Sequence, residues 1–278
     1  MTAPMTSVKR AYADSRHGQL HYRVVQPTDP VAGLPPLLCL HQTPSHSGDW
    51  LPVMPDLGAR RVVVAADTPG YGMSDPPPAP TTIEDLADIM GTLMTDLAAD
   101  GVVPAGPFDV MGFHTGSLVA TQLARSLPDR VRRAVVFGLA AYPADIRAEK
   151  LANLATVFPL PDGTLNHVEK LWSIISQLSD PRRDAEQRHV AMAECLRLGS
   201  RMTWGYQSVY RFDFLGAMTA VKQPVLVMNP EDDLWTVTHQ TSHTYPNGRR
   251  FDIPGVKHGV LELEKALVLA EIEAFLAP

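Results

Sequence analysis

Short apolar runs alternate along the chain with longer segments in which apolar residues recur at helical spacing. This alternation is typical of a mostly parallel β-sheet covered by α-helices, and several runs are apolar almost throughout, as strands buried on both faces are. The sequence therefore predicts an α/β fold. The predicted strands lie at residues 19–25, 35–41, 60–67, 108–113, 131–140, 224–229 and 249–255.

Three helices are predicted between and after these strands. In "TTIEDLADIMGTLMTDLAAD", residues 81–100, apolar side chains such as Ile83 and Leu86 recur at helical spacing, and Thr82 supplies a start signal. A second helix is predicted directly after residue 114, and a third over residues 259–277.

The strand pattern stops between about residues 143 and 218, where helical segments such as "VEKLWSIISQLSD" take over. The sequence therefore predicts a core of residues 1–142 and 219–278, with residues 143–218 as a helical cap, or lid. Because this insertion interrupts one sheet, we expect it to lie over the strand ends, where open α/β sheets bind ligands.

Composition restricts the class of protein. The 278 residues are 45% hydrophobic and 19% charged, enough for one large core with a lid. The net charge of -6 comes without a basic stripe, so nucleic acid is not an expected partner. The opening "MTAPMTSVKR" has no continuous apolar segment after its charges, and no run of eighteen apolar residues follows, which predicts a cytoplasmic protein without a membrane span. A homo-oligomer stays open.

The segment "GFHTG", residues 112–116, follows a predicted strand and precedes a predicted helix. Glycines at both ends give the spacing of the nucleophile elbow, a strained strand-to-helix turn that presents its central residue. Here the central residue is His114, where a serine is usual.

With three further segments in the same order, the chain resembles the α/β-hydrolase superfamily from about residue 19 to residue 276. "LLCLHQTP" at 37–44 is similar to the oxyanion loop of that family, although Gln42 replaces a glycine. "DTPGYGMSD" at 67–75 is similar to its Asp-x-Pro-Gly-x-Gly-x-Ser segment. "PVLVMNPEDDLW" at 224–235 resembles the acid-bearing strand and turn, and "GVKHGVLELE" at 255–264 the loop that carries the catalytic histidine.

This resemblance implies roles for individual residues. It places His114 at the nucleophile position, Asp233 as the acid, with Asp232 as the second choice, and His258 as the base. The backbone N–H groups of Thr43 and Thr115 are implied as the oxyanion hole.

An imidazole at position 114 needs no activating partner, because its neutral form already carries a lone pair. The N-terminus of the following helix disfavours imidazolium, which predicts a lowered pKa for His114. Its far nitrogen extends about 2 Å beyond a serine oxygen, whereas oxyanion donors must lie within about 3 Å of the developing charge. A base or hydrogen-bonding role is therefore preferred to covalent attack.

Four functions remain open. His114, His258 and Asp233 can deprotonate a water that hydrolyses an ester, a lactone or an activated C–C bond. The same groups can abstract a proton beside a carbonyl, which gives lyase, isomerase or cyclase chemistry. A metal site that also uses His41 is disfavoured, because the resemblance implies a fold that uses no metal, with Asp233 behind His258. A small-molecule binding protein without catalysis is the fourth.

A set of polar and aromatic side chains is predicted to line the substrate pocket. The aromatic members indicate a small apolar or aromatic substrate with a carbonyl group, whose carboxylate, if it has one, Arg201 or Arg211 can receive. No nucleotide-binding motif is present, so no cofactor is expected. The predicted pocket residues are His41, Gln42, Trp172, Trp204, Tyr206, Tyr210 and Trp235.

Overall fold

A computed structural model describes residues 7–278 and contains one eight-stranded sheet in the order β1-β2-β4-β3-β5-β6-β7-β8. Strands β3 to β8 run parallel, while β1 and β2 are antiparallel at one edge. The predicted α/β class is confirmed. The strands are β1 Lys9–Ser15, β2 Gly18–Val25, β3 Leu37–Leu40, β4 Val63–Ala66, β5 Phe108–Phe113, β6 Val131–Phe137, β7 Val225–Pro230 and β8 Gly248–Ile253.

Each of the seven predicted strand ranges overlaps one of the strands β2 to β8. Only β1 had no prediction. Strand β1 lies at the edge of the sheet and pairs only with β2. Its sequence "KRAYADS" is largely polar because its residues are exposed or half-buried there.

Twelve α-helices occur among the described residues. The helix predicted over 81–100 begins with a capping box, in which Thr82 and Asp85 satisfy each other's backbone N–H groups. The helices are α1 Met54–Leu57, α2 Ile83–Ala99, α3 Thr115–Ser126, α4 Ala144–Ala152, α5 Leu154–Val157, α6 Asn166–Leu178, α7 Ala185–Leu198, α8 Trp204–Arg211, α9 Phe214–Thr219, α10 Trp235–Thr241, α11 Val260–Leu263 and α12 Lys265–Phe275.

The sheet is covered on both faces. On β3, Leu38 and Leu40 belong to the apolar cluster that contains α2 and α3, whereas Leu37 and Cys39 belong to the cluster that contains α1 and α12. Because side chains alternate between faces, one strand supplies both layers. This burial explains why the predicted strands are apolar almost throughout.

Helices α4 to α9 lie between β6 and β7, where the helical insertion was predicted. We call residues 143–218 the cap; its exact boundaries stay a prediction. The first six residues of the predicted core, and with them most of the N-terminal segment used to argue against a signal peptide, lie outside the described residues. Within residues 7–278, no helix is both long and apolar enough to cross a membrane.

The loop after β4, residues 67–75, is tied to the sheet by one carboxylate. Asp67 accepts hydrogen bonds from Nδ1 of His21 at 2.8 Å, from the Ser47 N–H at 2.6 Å and from the Met73 N–H at 2.8 Å. Gly72 is required here, because a Cβ at that position would lie 1.9 Å from Asp67 Oδ2. The similarity noticed in "DTPGYGMSD" thus corresponds to a buried structural network.

Candidate active site

The turn between β5 and α3 has the backbone of a nucleophile elbow. His114 has φ 46° and ψ -107°, and it is the only non-glycine residue with positive φ in the described part of the chain. A Cβ at Gly112 would lie 2.1 Å from the carbonyl oxygen of Gly116, and one at Gly116 would lie 2.1 Å from that of Leu40. Both glycines are therefore needed for the close approach of strand and helix.

The imidazole of His114 is bonded to a buried carboxylate. Its Nε2 lies 2.8 Å from Oδ2 of Asp232, whose side chain is 1% exposed and whose Oδ1 accepts the Leu234 N–H. Gly138 makes room for the ring, since a Cβ there would lie 2.6 Å from His114 Cδ2. Asp232, the second choice as partner of His258, instead pairs with His114.

The predicted pair of Asp233 and His258 is in contact. Nε2 of His258 lies 2.8 Å from Oδ1 of Asp233, and the His258 ring stands edge-on to the His114 ring with centroids 5.1 Å apart. The Asp233 side chain is 43% exposed and lines the cavity. The expectation that Asp233 stands behind His258, away from the cavity, was wrong. Two imidazole–carboxylate pairs therefore adjoin each other.

The carboxylate beside each imidazole changes the pKa that the sequence predicted for His114. Burial lowers the pKa of His114, but the charge and hydrogen bond of Asp232 outweigh burial and raise the pKa above its ordinary value. The predicted lowering from the N-terminus of α3 was therefore wrong, because an adjacent carboxylate acts more strongly than a helix end. For Asp233, burial raises the pKa, but the bond from His258 and the nearby imidazoles hold it below its usual range.

Thr43 and Thr115 both line the cavity. Within residues 7–278, neither backbone N–H donates to another protein atom, so both are available to a ligand. Their role as an oxyanion hole stays a prediction. Ser117 is unsuited to act as a replacement nucleophile, because it is fully buried and its hydroxyl is hydrogen-bonded to the carbonyl oxygens of Gly112 on β5 and Phe137 on β6.

The cavity beside this cluster has a volume of about 210 Å³ and lies between the strand ends and the cap. Tyr206 and Tyr210 line it, as predicted, and so does Gln42. Most of the remaining wall is apolar and comes from the cap. The cap contributes Phe158, Leu171, Ile174, Ile175, Leu178, Ala191, Cys195, Met202 and Val209, and the core contributes Ala140 and Leu234.

Four predicted pocket residues are not in this wall. His41 is buried, and its ring nitrogens meet the Gln42 carbonyl at 2.6 Å and the Thr68 N–H at 3.0 Å, so it braces the loop. Trp172 is 40% exposed on α6. Trp204 lines a separate small pocket, and Trp235, the first residue of α10, lies outside the lining.

Two wall residues that sequence reasoning missed are Tyr142 and Lys150. Nζ of Lys150 lies 4.5 Å from the centre of the Tyr142 ring, and no carboxylate of the described residues forms an ion pair with it. Arg201, considered for a carboxylate, instead donates to the Gly70 carbonyl outside this wall, and Arg211 is also absent from it. Two cationic side chains therefore line the cavity: Arg183, which pairs with Glu262 at 3.4 Å, and Lys150 on α4, which has no carboxylate partner among the described residues.

The cluster also has the composition of a metal site. One donor atom from each of His114, Asp232, Asp233 and His258 lies within 4.8 Å of all the others. His41, included in the disfavoured metal hypothesis, is not in this group.

Comparison with known proteins shows the family to which the chain belongs. Residues 35–210 match the family model described as the alpha/beta hydrolase fold. An uncharacterised protein of Mycobacterium tuberculosis is 30% identical over 138 residues, covering 45% of this chain and 39% of that protein. The chain thus spans about two fifths of the length of that relative.

Longer matches are more distant. A 2-(acetamidomethylene)succinate hydrolase of Mesorhizobium japonicum is 25% identical over 264 residues, which cover 87% of this chain and 88% of that enzyme. The solved structure of a thermophilic esterase from Thermogutta terrifontis, with malate bound, superposes with a TM-score of 0.76 at 20% identity and covers 96% of this chain and 98% of its own. Hydrolases and esterases are among its characterised relatives and structural neighbours.

Proposed function

The chain belongs to the alpha/beta hydrolase fold family, and we propose that it hydrolyses a small apolar or aromatic carbonyl compound in the cavity beside His114. The bond cleaved is that of an ester, a lactone or an activated C–C bond. The observation that carries this proposal is the pair of adjoining imidazole–carboxylate contacts, each 2.8 Å long, at the nucleophile position of the fold.

The orientation of both rings supports a base rather than a covalent nucleophile. In each ring, Nε2 faces a carboxylate and so carries the N–H, which leaves the lone pair of the neutral imidazole on Nδ1. For His114, the nitrogen that extends farthest from the backbone is thus already bonded to Asp232. The free nitrogens suit proton transfer with water.

In the proposed reaction, a water between the rings loses a proton to an imidazole as its oxygen bonds to the carbonyl carbon. The backbone N–H groups of Thr43 and Thr115 bind the oxyanion. The carbonyl then re-forms as the bond to the leaving group breaks, and the imidazolium returns the proton to that group. The carboxylates orient both imidazoles and stabilise the charged form.

The cavity wall supports the proposed substrate class. Its cap side is mostly apolar, and a volume of about 210 Å³ suits a small molecule. Lys150 adds one unpaired cation to the wall. We therefore propose that the substrate carries a carboxylate as well as the reacting carbonyl.

The test compares wild type, His114→Ala and His114→Ser on aryl esters, lactones and enolisable ketones. We expect the wild type to hydrolyse esters or lactones, and both variants to lose about 10²–10⁴-fold in turnover, because neither replacement holds a ring nitrogen near the water. His239→Ala is the matched control, since this exposed histidine on α10 lies outside the cavity.

Three outcomes would contradict the proposal. Proton exchange on ketones without hydrolysis would favour elimination or isomerisation. An inert wild type that binds ligands tightly would favour a binding protein. Labelling of the wild type by a fluorophosphonate would show that a hydroxyl performs the attack.

A further inference from the structure

We propose that His114, Asp232, Asp233 and His258 form a binding site for one divalent first-row transition-metal ion of the Zn²⁺ class. Their donor atoms already converge, because each residue offers one atom and all four atoms lie within 4.8 Å of one another. Binding through Nε2 requires the tautomer with the N–H on Nδ1, so the ion would replace both hydrogen bonds to the carboxylates. Cation binding can be measured without a substrate, so it is tested separately from the proposed hydrolysis.

The donor set and its spacing fit such an ion. Imidazole nitrogen and carboxylate oxygen bind Zn²⁺ at about 2.0–2.2 Å, so four tetrahedral donors lie about 3.4 Å from one another. Each nitrogen is now 2.8 Å from its carboxylate oxygen, and the largest separation within the set is 4.8 Å. Enclosing the ion would therefore widen each pair by about 0.6 Å and bring the most distant donors about 1.4 Å closer together, on the same bond lengths.

Among the described residues, the carboxylates of this cluster are paired with imidazoles and not with lysine or arginine. Two consecutive carboxylates meet two imidazoles here, and within residues 7–278 neither carboxylate forms an ion pair with a lysine or arginine. Two carboxylates in one partly buried cluster, with no lysine or arginine of the described chain paired to either, favour the binding of a cation. A divalent cation would neutralise both charges.

His114 and Gly138 both contribute to this cluster. A serine at position 114 would be too short to reach Asp232, whereas the imidazole does so at 2.8 Å. The ring can lie there because Gly138 has no side chain: a Cβ would be 2.8 Å from Nε2 of His114.

The site is open on one side. His114, Asp233 and His258 line the cavity, while Asp232 is buried behind them. Catalytic metal sites keep such an open position for water or substrate. A bound cation would act there as a Lewis acid on the carbonyl oxygen of a substrate.

The experiment uses the full chain after removal of metal by a chelator. Zn²⁺ is titrated back, and bound metal is counted by elemental analysis, with Co²⁺ as a second probe whose visible absorption reports its ligands. We expect about one ion per chain and a higher Tm on binding. Affinity should fall at least 10–100-fold in His114→Ala, Asp232→Asn, Asp233→Asn and His258→Ala.

Controls separate ligand loss from unfolding. The Asp→Asn variants keep side-chain volume, and far-UV circular dichroism of the metal-free forms checks that each is folded. His239→Ala removes a histidine outside the cluster and should keep wild-type affinity.

Two results would overturn the metal site: a folded wild type that binds neither Zn²⁺ nor Co²⁺ stoichiometrically, or one that binds equally well in all four variants. Ester hydrolysis by a chain that binds neither ion would refute the metal site and leave the proposed function intact. Stoichiometric binding of the ion without hydrolysis of any tested substrate would support the metal site and contradict the proposed function.

Discussion

Two histidine–aspartate pairs in this molecule have the same contact distance but different surroundings. His21 and Asp67 lie 2.8 Å apart beneath the loop after β4, and His258 and Asp233 lie 2.8 Å apart at the cavity. The Asp67 side chain is 1% exposed and accepts two backbone N–H bonds besides the bond from His21. Asp233 is 43% exposed and accepts a side-chain hydrogen bond only from His258 among the described residues.

This difference distinguishes a structural carboxylate, Asp67, from one that can take part in chemistry, Asp233. A carboxylate has about four acceptor sites, and at Asp67 most of them are filled by groups that hold a loop in place. At Asp233 most are free and face a cavity, so they can receive water, substrate or a cation. The number of filled acceptor sites, rather than the pairing itself, thus distinguishes the two roles.

The largest effect should follow from Asp233→Asn. We expect turnover to fall about 10³-fold, because the amide can neither stabilise an imidazolium at His258 nor orient its neutral form correctly. Unfolding free energy should change by less than about 1 kcal/mol, since only one partly exposed hydrogen bond is altered. Steady-state kinetics and urea unfolding measure the two quantities. A large loss of stability with unchanged turnover would make Asp233 a structural residue like Asp67.

Asp67→Asn should give the opposite result. Replacing a carboxylate bonded to three donors should lower the unfolding free energy by about 2–3 kcal/mol, while turnover of the folded fraction is unchanged. Urea unfolding and activity assays normalised to folded protein test both parts.

The same substitution makes a prediction about pH. Burial raises the pKa of Asp67, but the bond from His21 and the charge of His41 outweigh it and hold the pKa well below its usual range. A lowered pKa gives stability that is present above the unfolded value of about 3.9 and is lost as pH falls toward the folded value. Asp67→Asn should therefore flatten the stability profile below about pH 4. An unchanged acid limb would show that other carboxylates dominate it.

Gly138→Ala should have a smaller effect on stability and turnover. Gly255→Ala is its control, because it carries the same backbone strain without crowding His114. Gly138 and Gly255 have similar positive φ values, 64° and 75°, but a Cβ at Gly255 meets nothing within 4 Å. Both alanine variants carry the backbone strain, whereas only Gly138→Ala crowds His114. We expect it to cost about 1–2 kcal/mol more than Gly255→Ala and to reduce turnover as well. Equal losses in the two variants would mean that the ring does not depend on Gly138.

The fold was predictable because its signals are local. Apolar runs marked strands β2 to β8, and the glycines around His114 marked the elbow. The Asp233–His258 contact followed from resemblance, since both residues lie in loops of the expected order. The Asp232–His114 contact did not, because two adjacent aspartates differ only in the direction that the turn after β7 imposes on each.

The pocket residues were predicted less well because residue type was weighed above helical phase. On α6, Leu171, Ile174, Ile175 and Leu178 line the cavity, and their spacing is that of a single helical face. Trp172 lies on a different face and is 40% exposed. The periodicity of α6 contained this information. Lys150 carried no comparable signal, since its position depends on how α4 packs.

Lys150 lies on the cap side of the cavity and carries a positive charge, whereas Asp233 carries a negative one. We expect Lys150 to affect substrate binding and Asp233 to affect turnover. Its ammonium lies over the Tyr142 ring at 4.5 Å, lines the cavity and has no carboxylate partner in the described part of the chain. An ammonium in this position can bind a substrate carboxylate in the ground state and the transition state alike. Uniform binding of that kind changes KM without changing kcat.

We therefore expect Lys150→Met to raise KM about 10-fold for an ester that carries a carboxylate, which corresponds to about 1.4 kcal/mol, and to leave kcat nearly unchanged. Methionine keeps most of the apolar length of lysine, so KM for the neutral ester of the same shape should not change. Lys170→Met, an exposed position on α6, is the matched control. If KM rose equally for both esters, Lys150 would contribute packing rather than charge, and the proposed carboxylate would lose its support. If kcat fell instead, Lys150 would act on the reacting centre. Binding of the substrate by the cap and chemistry at the two imidazole–carboxylate pairs would then not be separate functions.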